Sequence, residues 1–213
     1  MKRYLYGKKQ YLSAVVGEMG QIRFSDIIHY GRNSNENMRD DETRKVFHLD
    51  RKSYRFIHDG IRVDPASLAS DPVLTALTPR AFCLCLSRKR DDADLYKRFD
   101  ADICIELDVE KLSAKFTEEF KAWPGASVLS GDVNYYPAIM KEGAPDISRL
   151  LFQKPDRFLI EDEYRIAILI PPGDSFNIGN GKSVRVYSDI KSEGQHLYSR
   201  RAVYGCIGEV FYN

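Results

Sequence analysis

Hydrophobic and polar positions along the chain switch between two periods, and the switches mark out the elements. Arg3 to Tyr6 is short and aromatic and predicts a first strand. From Lys9 to Met19 the apolar residues Tyr11, Leu12, Val15, Val16 and Met19 keep the spacing of an amphipathic helix, with Gly20 as its C-cap. Gln21 to Ser25 alternates polar and apolar, as a half-buried strand does. The stretch Tyr30 to Arg44 is polar and asparagine-rich, which predicts a surface loop leading into a helical turn. Ser53 to Val63 reads as a hairpin turning at Asp59-Gly60. Asp64-Pro65 opens a helix through Leu74, with aspartate as N-cap and proline at the first position.

The apolar run from Arg80 to Ser87 predicts a central strand, and Asp91 to Phe99 a short helix with acids at its start. A strand over Ala101 to Leu107 and a helix over Val109 to Trp123 follow, closed by Pro124-Gly125. Further strands are predicted over Ser127 to Tyr136, Glu163 to Ile170, Ser183 to Tyr187 and Ala202 to Phe211, with a short helix over Asp146 to Phe152. The sum is an α+β fold around a mixed, mainly antiparallel sheet with flanking short helices. With no repeat, low-complexity tract or linker, residues 1–213 read as a single domain.

Composition narrows the function classes. Hydrophobic residues make up 43% and charged residues 30%, the balance of an ordinary globular protein. The net charge of +1 gives no global attraction to nucleic acid or membrane, so such a partner needs a local patch. Cys83, Cys85, Cys104 and Cys206 all lie in apolar runs without metal-ligand spacing and read as buried thiols in a reducing compartment. The start lacks the apolar core of a secretory signal, and the apolar run Ile166 to Ile170 is too short to span a bilayer. The expectation is a cytoplasmic protein with no membrane partner.

The sequence carries no phosphate-binding P-loop, dinucleotide fingerprint, nucleophile elbow or paired-histidine zinc motif. Gly179-Asn180-Gly181-Lys182-Ser183 is read as a hairpin turn rather than a phosphate loop. The informative stretch is Glu161-Asp162-Glu163, which immediately precedes a strong strand. On an extended backbone Glu161 and Glu163 point to one side, about 7 Å apart. Two such carboxylates suit general-base work or the stabilisation of a cationic sugar, and equally a solvated strand end with Arg165 neutralising Glu163.

The segment Lys154…Phe158…Glu161-x-Glu163-Tyr164-Arg165 resembles the K…W…E-x-E-Y-R signature of the DUF2971-like bacterial domains. Tyr4-x-Tyr6 followed by Gly20-Gln21-Ile22-Arg23-Phe24-Ser25 is similar to that family's opening. Phe82 to Asp91 with Tyr96 and Ile103 to Leu107 is similar to its middle block. Phe158 and Leu95 stand where the family has tryptophans, and Asn35 to Glu42 replaces its usual F-N-D-P. The order of parts is also similar to the ADP-ribosyltransferase fold, including its DNA-modifying toxin branch.

That resemblance implies NAD as the cofactor and assigns roles residue by residue. Glu163 would bind the ribose hydroxyls and stabilise the charge developing on the sugar, while Glu161 would orient or deprotonate the acceptor. Arg3 or Arg23 would pair with the pyrophosphate. Tyr4, Tyr6 or Tyr96 would stack on nicotinamide, and Ser87 would support the glutamate; Ser25 completes the cofactor-binding set. The acceptor is a macromolecule, nucleic acid favoured over protein, as for a toxin or phage-defence effector restrained by an antitoxin or chaperone.

Two other classes compete. Arg88-Lys89-Arg90, Arg80 and the series Lys182, Arg185, Lys191, Arg200 and Arg201, interleaved with tyrosines, suit a non-catalytic module binding single-stranded nucleic acid or protein. Asp40, Asp41 and Glu42 with the late acids would suit a metal-dependent hydrolase, although nothing fixes them in a coordinating arrangement.

Overall fold

The computed structural model describes residues 1–32, 34–173, 175–179, 181–187, 196–200 and 202–213, without the side chains of 176–179. Asn33 of the polar loop and Lys191 and Arg201 of the basic series therefore lie outside the described residues.

The apolar run at Arg80 to Ser87 forms the middle of an eight-stranded sheet because neighbouring strands and both faces cover it. The sheet contains β1 (Lys2–Gly7), β2 (Ile22–Asp26), β3 (Phe82–Ser87), β4 (Ile103–Asp108), β5 (Ser127–Asp132), β6 (Glu163–Leu169), β7 (His196–Ser199) and β8 (Ile207–Tyr212). Its helices are α1 (Lys9–Val16), α2 (Ala93–Phe99) and α3 (Val109–Lys121). Every pairing in this sheet is antiparallel.

One edge of β3 is paired along its whole length with β6, from Ser87 opposite Glu163 to Phe82 opposite Ile168, and β5 lies beyond. The other edge is shared. β2 meets only its beginning, with Ser25 opposite Cys83 and Asp26 opposite Phe82, whereas β1 meets only its end, with Tyr4 opposite Ser87. The sheet forks there. β7 continues it beyond β2, while β4 and β8 continue it beyond β1. Leu84, Cys85 and Leu86 consequently have a strand partner on the β6 side alone.

The two faces differ in kind. On one, Leu5, Ile22, Phe24, Leu84, Leu86, Tyr164, Ile166 and Ile168 form a large apolar core with α3. Val109, Leu112, Phe116 and Phe120 make the buried stripe of that helix, capped by the Asp108 carboxylate accepting from the Lys111 N–H at 3.4 Å. Phe116 meets Phe24 edge to face at 4.8 Å. The register puts Tyr4, Ser25, Cys83, Cys85, Ser87, Glu163 and Arg165 on the opposite, mostly polar face.

Four smaller ribbons surround the sheet, and they account for the differences from the sequence reading. Asp64 caps only one 3-10 turn, Pro65–Ser67, its carboxylate accepting from Ala66 N–H at 2.9 Å. The predicted helix stops because Pro72 disfavours helical backbone before it, and Val73–Leu77 instead pairs with Arg44–His48. The hairpin at Asp59-Gly60 joins Phe56–His58 to Ile61–Val63 as expected. The strand predicted over Ser127 to Tyr136 breaks at Val133, whose N–H donates to the Glu163 carbonyl at 2.9 Å. Asn134–Tyr136 then pairs in parallel with Gln153–Pro155, which carries Tyr135 towards β6. The last ribbon joins Ser175–Gly179 to Lys182–Arg185. The described part of the predicted loop Tyr30 to Arg44 begins in a 3-10 turn, Ile27–Arg32, and folds inward, with Asp40 and Glu42 buried.

Candidate functional site

A cleft of about 530 Å³ fills the fork between β1 and β2, over the uncovered edge of β3. Tyr4, Tyr6, Arg23, Ser25, Ser87, Glu161 and Glu163 line it, so seven of the nine sequence candidates converge on one place. The registers explain how. One cross-strand row runs Glu106–Tyr4–Ser87–Glu163, and a second runs His196–Ser25–Cys83–Ala167. Four residues of β3 separate the rows, about 13 Å along the strand.

The two glutamates meet, but not as neighbours on an extended strand. Glu161 ends a 3-10 turn, Asp156–Glu161, and Asp162 is left-handed at φ +43°, so β6 begins only at Glu163. That turn is held by Ser87, whose hydroxyl donates to the Glu161 carbonyl at 2.7 Å, and by the Arg88 guanidinium on Asp162. Lys154 joins the carboxylates, its ammonium donating to Glu161 Oε2 at 2.8 Å and Glu163 Oε2 at 3.0 Å. Arg98 takes the other oxygen of Glu161 at 2.9 Å, and Arg165 Nε takes Glu163 Oε1 at 2.7 Å. The Tyr135 hydroxyl accepts from the Glu163 N–H at 2.8 Å. Beneath the cluster the buried Phe158 ring lies 4.6 Å from the Lys154 ammonium.

Further back, Arg165 donates to Glu42 Oε1 at 2.8 Å and to the Leu151 carbonyl at 2.7 Å, and Lys45 pairs with Glu42 at 2.5 Å. Burial alone would raise the Glu163 carboxyl, but Arg165 and Lys154 outweigh it and hold it well below the usual carboxylate range. Burial likewise opposes the charge of Lys154, and the three glutamates around it more than restore it. Asp40 is compensated only weakly, with Arg157 3.9 Å from its Oδ1. Desolvation, with repulsion from Glu42, pushes it up to about 6, and its Oδ2 has no hydrogen-bond partner. Glu163 is thus a fixed anion at neutral pH. Two of its roughly four lone-pair sites serve Arg165 and Lys154, leaving the others for a ligand.

The tyrosines offer rings rather than hydroxyls. Tyr4 Oη donates to Glu106 at 3.3 Å, and Tyr6 Oη donates to the Lys89 carbonyl at 2.8 Å while accepting from Asp92 N–H at 2.9 Å. Tyr96 is buried beside Tyr6, edge to face at 5.3 Å, and its hydroxyl bonds to Asp91. It supports Tyr6 and does not line the cleft. Arg3 is likewise outside the cleft. It projects to the other face, where it pairs with Asp132 at 3.1 Å and lies over the Tyr164 ring. Arg23 lines the cleft and has no carboxylate partner among the described residues.

Ser87, expected to support a glutamate side chain, supports the Glu161 backbone instead. The sequence did pair Arg165 with Glu163. It named Glu42 only for a metal-dependent hydrolase and missed Lys45, Arg98, His29, Tyr30 and Tyr198, which distant segments deliver; Lys154 is signalled only by its place in the K…E-x-E-Y-R segment. The basic run beside the cleft is largely engaged, Arg88 by Asp162 and Arg90 by Glu209 at 2.6 Å. Cys83 is pushed up to about 12 by burial, and Cys85 is also raised. Among the described residues no group of three or more His, Cys, Asp or Glu side chains could hold a metal ion, and no helix is long and apolar enough to cross a membrane. Comparison of the chain with family models, curated proteins and solved structures finds no match.

Proposed function

We propose that the fork cleft is the active site of an ADP-ribosyltransferase that uses NAD to modify a macromolecule, nucleic acid before protein. The observation that carries this reading is the Glu163 carboxylate, kept ionised inside a tyrosine-lined cleft that also offers an arginine with no carboxylate partner among the described residues. The cleft volume suits a nucleotide-sized ligand. NAD supplies a ribosyl group whose bond to nicotinamide breaks as positive charge grows on the sugar.

Each residue has work to do at its observed position. Glu163 presents its free lone pairs to the ribose hydroxyls and its charge to the developing cation. Lys154 and Arg165 fix its rotamer and prevent protonation. Glu161, across Lys154, takes the proton of the acceptor group. Tyr4 and Tyr6 offer ring surfaces for the base, and Arg23 a planar fork for the pyrophosphate. Such a reaction fits a bacterial toxin or phage-defence effector held in check by an antitoxin or chaperone.

The test is transfer of label from NAD to separate pools of protein, RNA, and single- and double-stranded DNA. Wild type should label one pool, and Glu163→Gln should lower that rate about 10²–10³-fold with a cooperative thermal melt retained. Equal labelling by both proteins would remove Glu163 from the chemistry. No transfer and no nicotinamide release by folded wild type would leave the cleft as a binding site only.

A further inference from the structure

The end of the cleft away from Glu163 is lined by one imidazole, His29, and a second, His196, packs against it. His29, on the 3-10 turn after β2, lines the cleft together with Arg23, Ser25, Tyr30 and Tyr198. His196 stands on β7 directly opposite Ser25, and Tyr198 directly opposite Arg23, so one face gathers all of them. The rings form a continuous line. His29 meets His196 edge to face at 4.9 Å, with Tyr30 at 6.3 Å on one side and Tyr198 at 6.3 Å from His196 on the other.

Among the described residues, charge in this corner is one-sided. Arg23 and Arg32 act on His29, and Arg23 and His29 act on His196. The nearest acid to His29 is Asp26, whose carboxylate is already held by Arg80 at 2.8 and 3.0 Å. Burial is the first cause of discomfort for a charged ring here and the arginines the second, so both imidazoles stay neutral at pH 7. His196 Nδ1 is buried without a hydrogen-bond partner among the described residues. An arginine with no carboxylate partner among the described residues and two imidazoles held in the neutral form lack one thing in common, an anion. A phosphate placed against Arg23 would cancel the arginine field, the second of these causes, and would give a protonated His29 an acceptor that offsets its burial.

We propose that Arg23, His29 and His196 form a proton-linked phosphate subsite: a diphosphate-bearing ligand binds there together with a proton, and its affinity rises as pH falls. This rests on the fork cleft being a ligand site, but not on any transfer reaction. The step is balanced simply. A proton from solvent adds to an imidazole nitrogen and offsets one of the two negative charges that the diphosphate brings, while the Arg23 guanidinium faces the other.

ADP-ribose is the probe, because its diphosphate is esterified at both ends and does not titrate between pH 5 and 8. Calorimetric titrations at pH 5.5, 6.5 and 7.5 in buffers of different ionisation enthalpy report affinity and proton uptake together. Wild type should bind about 10-fold more tightly at pH 5.5 than at 7.5 and take up a fraction of a proton at pH 6.5. Arg23→Gln should weaken binding about 10–100-fold at every pH. His29→Gln, which keeps a donor without titrating, should flatten the pH dependence, and His196→Gln should reduce it. Adenosine, lacking phosphates, should bind without pH dependence.

PH-independent binding by wild type, an unchanged affinity in Arg23→Gln, or no binding of ADP-ribose would each overturn the subsite. The outcomes separate from those of the transfer assay. Label transfer without proton-linked binding sinks only the subsite, whereas proton-linked, Arg23-dependent binding without transfer sinks only the proposed reaction.

Discussion

The two faces of the sheet bury side chains by opposite means. Under α3, the apolar face is filled by Phe24, Phe116, Leu84 and Ile166, whose burial is favourable in itself. On the other face Arg165, Lys45, Glu42, Lys154, Glu161 and Glu163 are all 6% exposed or less, which costs desolvation that only mutual pairing offsets. An apolar replacement of similar volume would serve stability as well or better. A face assembled from buried charges beside a cleft thus gives up stability that the opposite face gains, as the proposed reaction would require.

That contrast is broken most directly by deleting one partner on each side. Phe116→Ala should cost about 3–5 kcal/mol through lost burial and a cavity, and leave the ionic cluster intact. Arg165→Ala should cost about 3–5 kcal/mol for a different reason, because Glu42 and Glu163 are left buried without their shared cation. Urea unfolding at pH 7.5 and pH 4 tells them apart. Protonating the abandoned carboxylates at pH 4 should recover part of the Arg165→Ala loss and none of the Phe116→Ala loss. Equal behaviour at both pH values would mean that the cluster is simply packed volume.

The apolar face was legible from sequence, because its signals are local. The 3.6-residue stripe of α3, the alternation of β2 and the apolar run of β3 are each read within a dozen residues. The polar face was legible only in part. Alternation places Glu163 and Arg165 on one side, and their pairing follows. The bend at Asp162 reverses the local geometry, however, and a left-handed aspartate leaves no pattern in a run of acids. Glu42 reaches Arg165 across 123 residues, so its burial in an apparent surface loop had no local signature. The fork depends on where β1 and β2 stop along β3, a matter of register that no single strand encodes.

A smaller effect sharpens the contrast within the polar face itself. Glu163 and Glu42 titrate well below an unfolded carboxylate, so their contribution is fully present above about pH 4.5 and is lost as pH falls through their lowered folded values. Asp40 is the reverse. With its folded value near 6, the native state binds its proton more tightly than the unfolded chain, and stability grows as pH falls from 7 towards 4. Asp40 therefore favours the acidic side of neutrality, while the two half-buried imidazoles, whose folded values are lowered, favour the side above about pH 6.5 and offset part of that gain. Asp40→Asn should raise stability at pH 7.5 by about 1–2 kcal/mol and flatten the limb above pH 5. A variant no more stable than wild type at pH 7.5 would show that Asp40 is compensated in solution.

The smallest effect belongs to the charges that never left water. Arg90 and Glu209 meet at 2.6 Å, as close as the buried pairs, and Arg90 also covers the Phe211 ring at 4.8 Å. Both side chains are more than half exposed, so solvent screens the pair and ordering two long side chains opposes it. Arg90→Gln should cost under about 1 kcal/mol, and 0.5 M salt should erase most of that cost, leaving the packing on Phe211. The same salt should leave the Arg165→Ala penalty almost unchanged, because a screening ion cannot enter the cluster. Distance alone does not rank these ion pairs; what each charge gave up to reach its partner does.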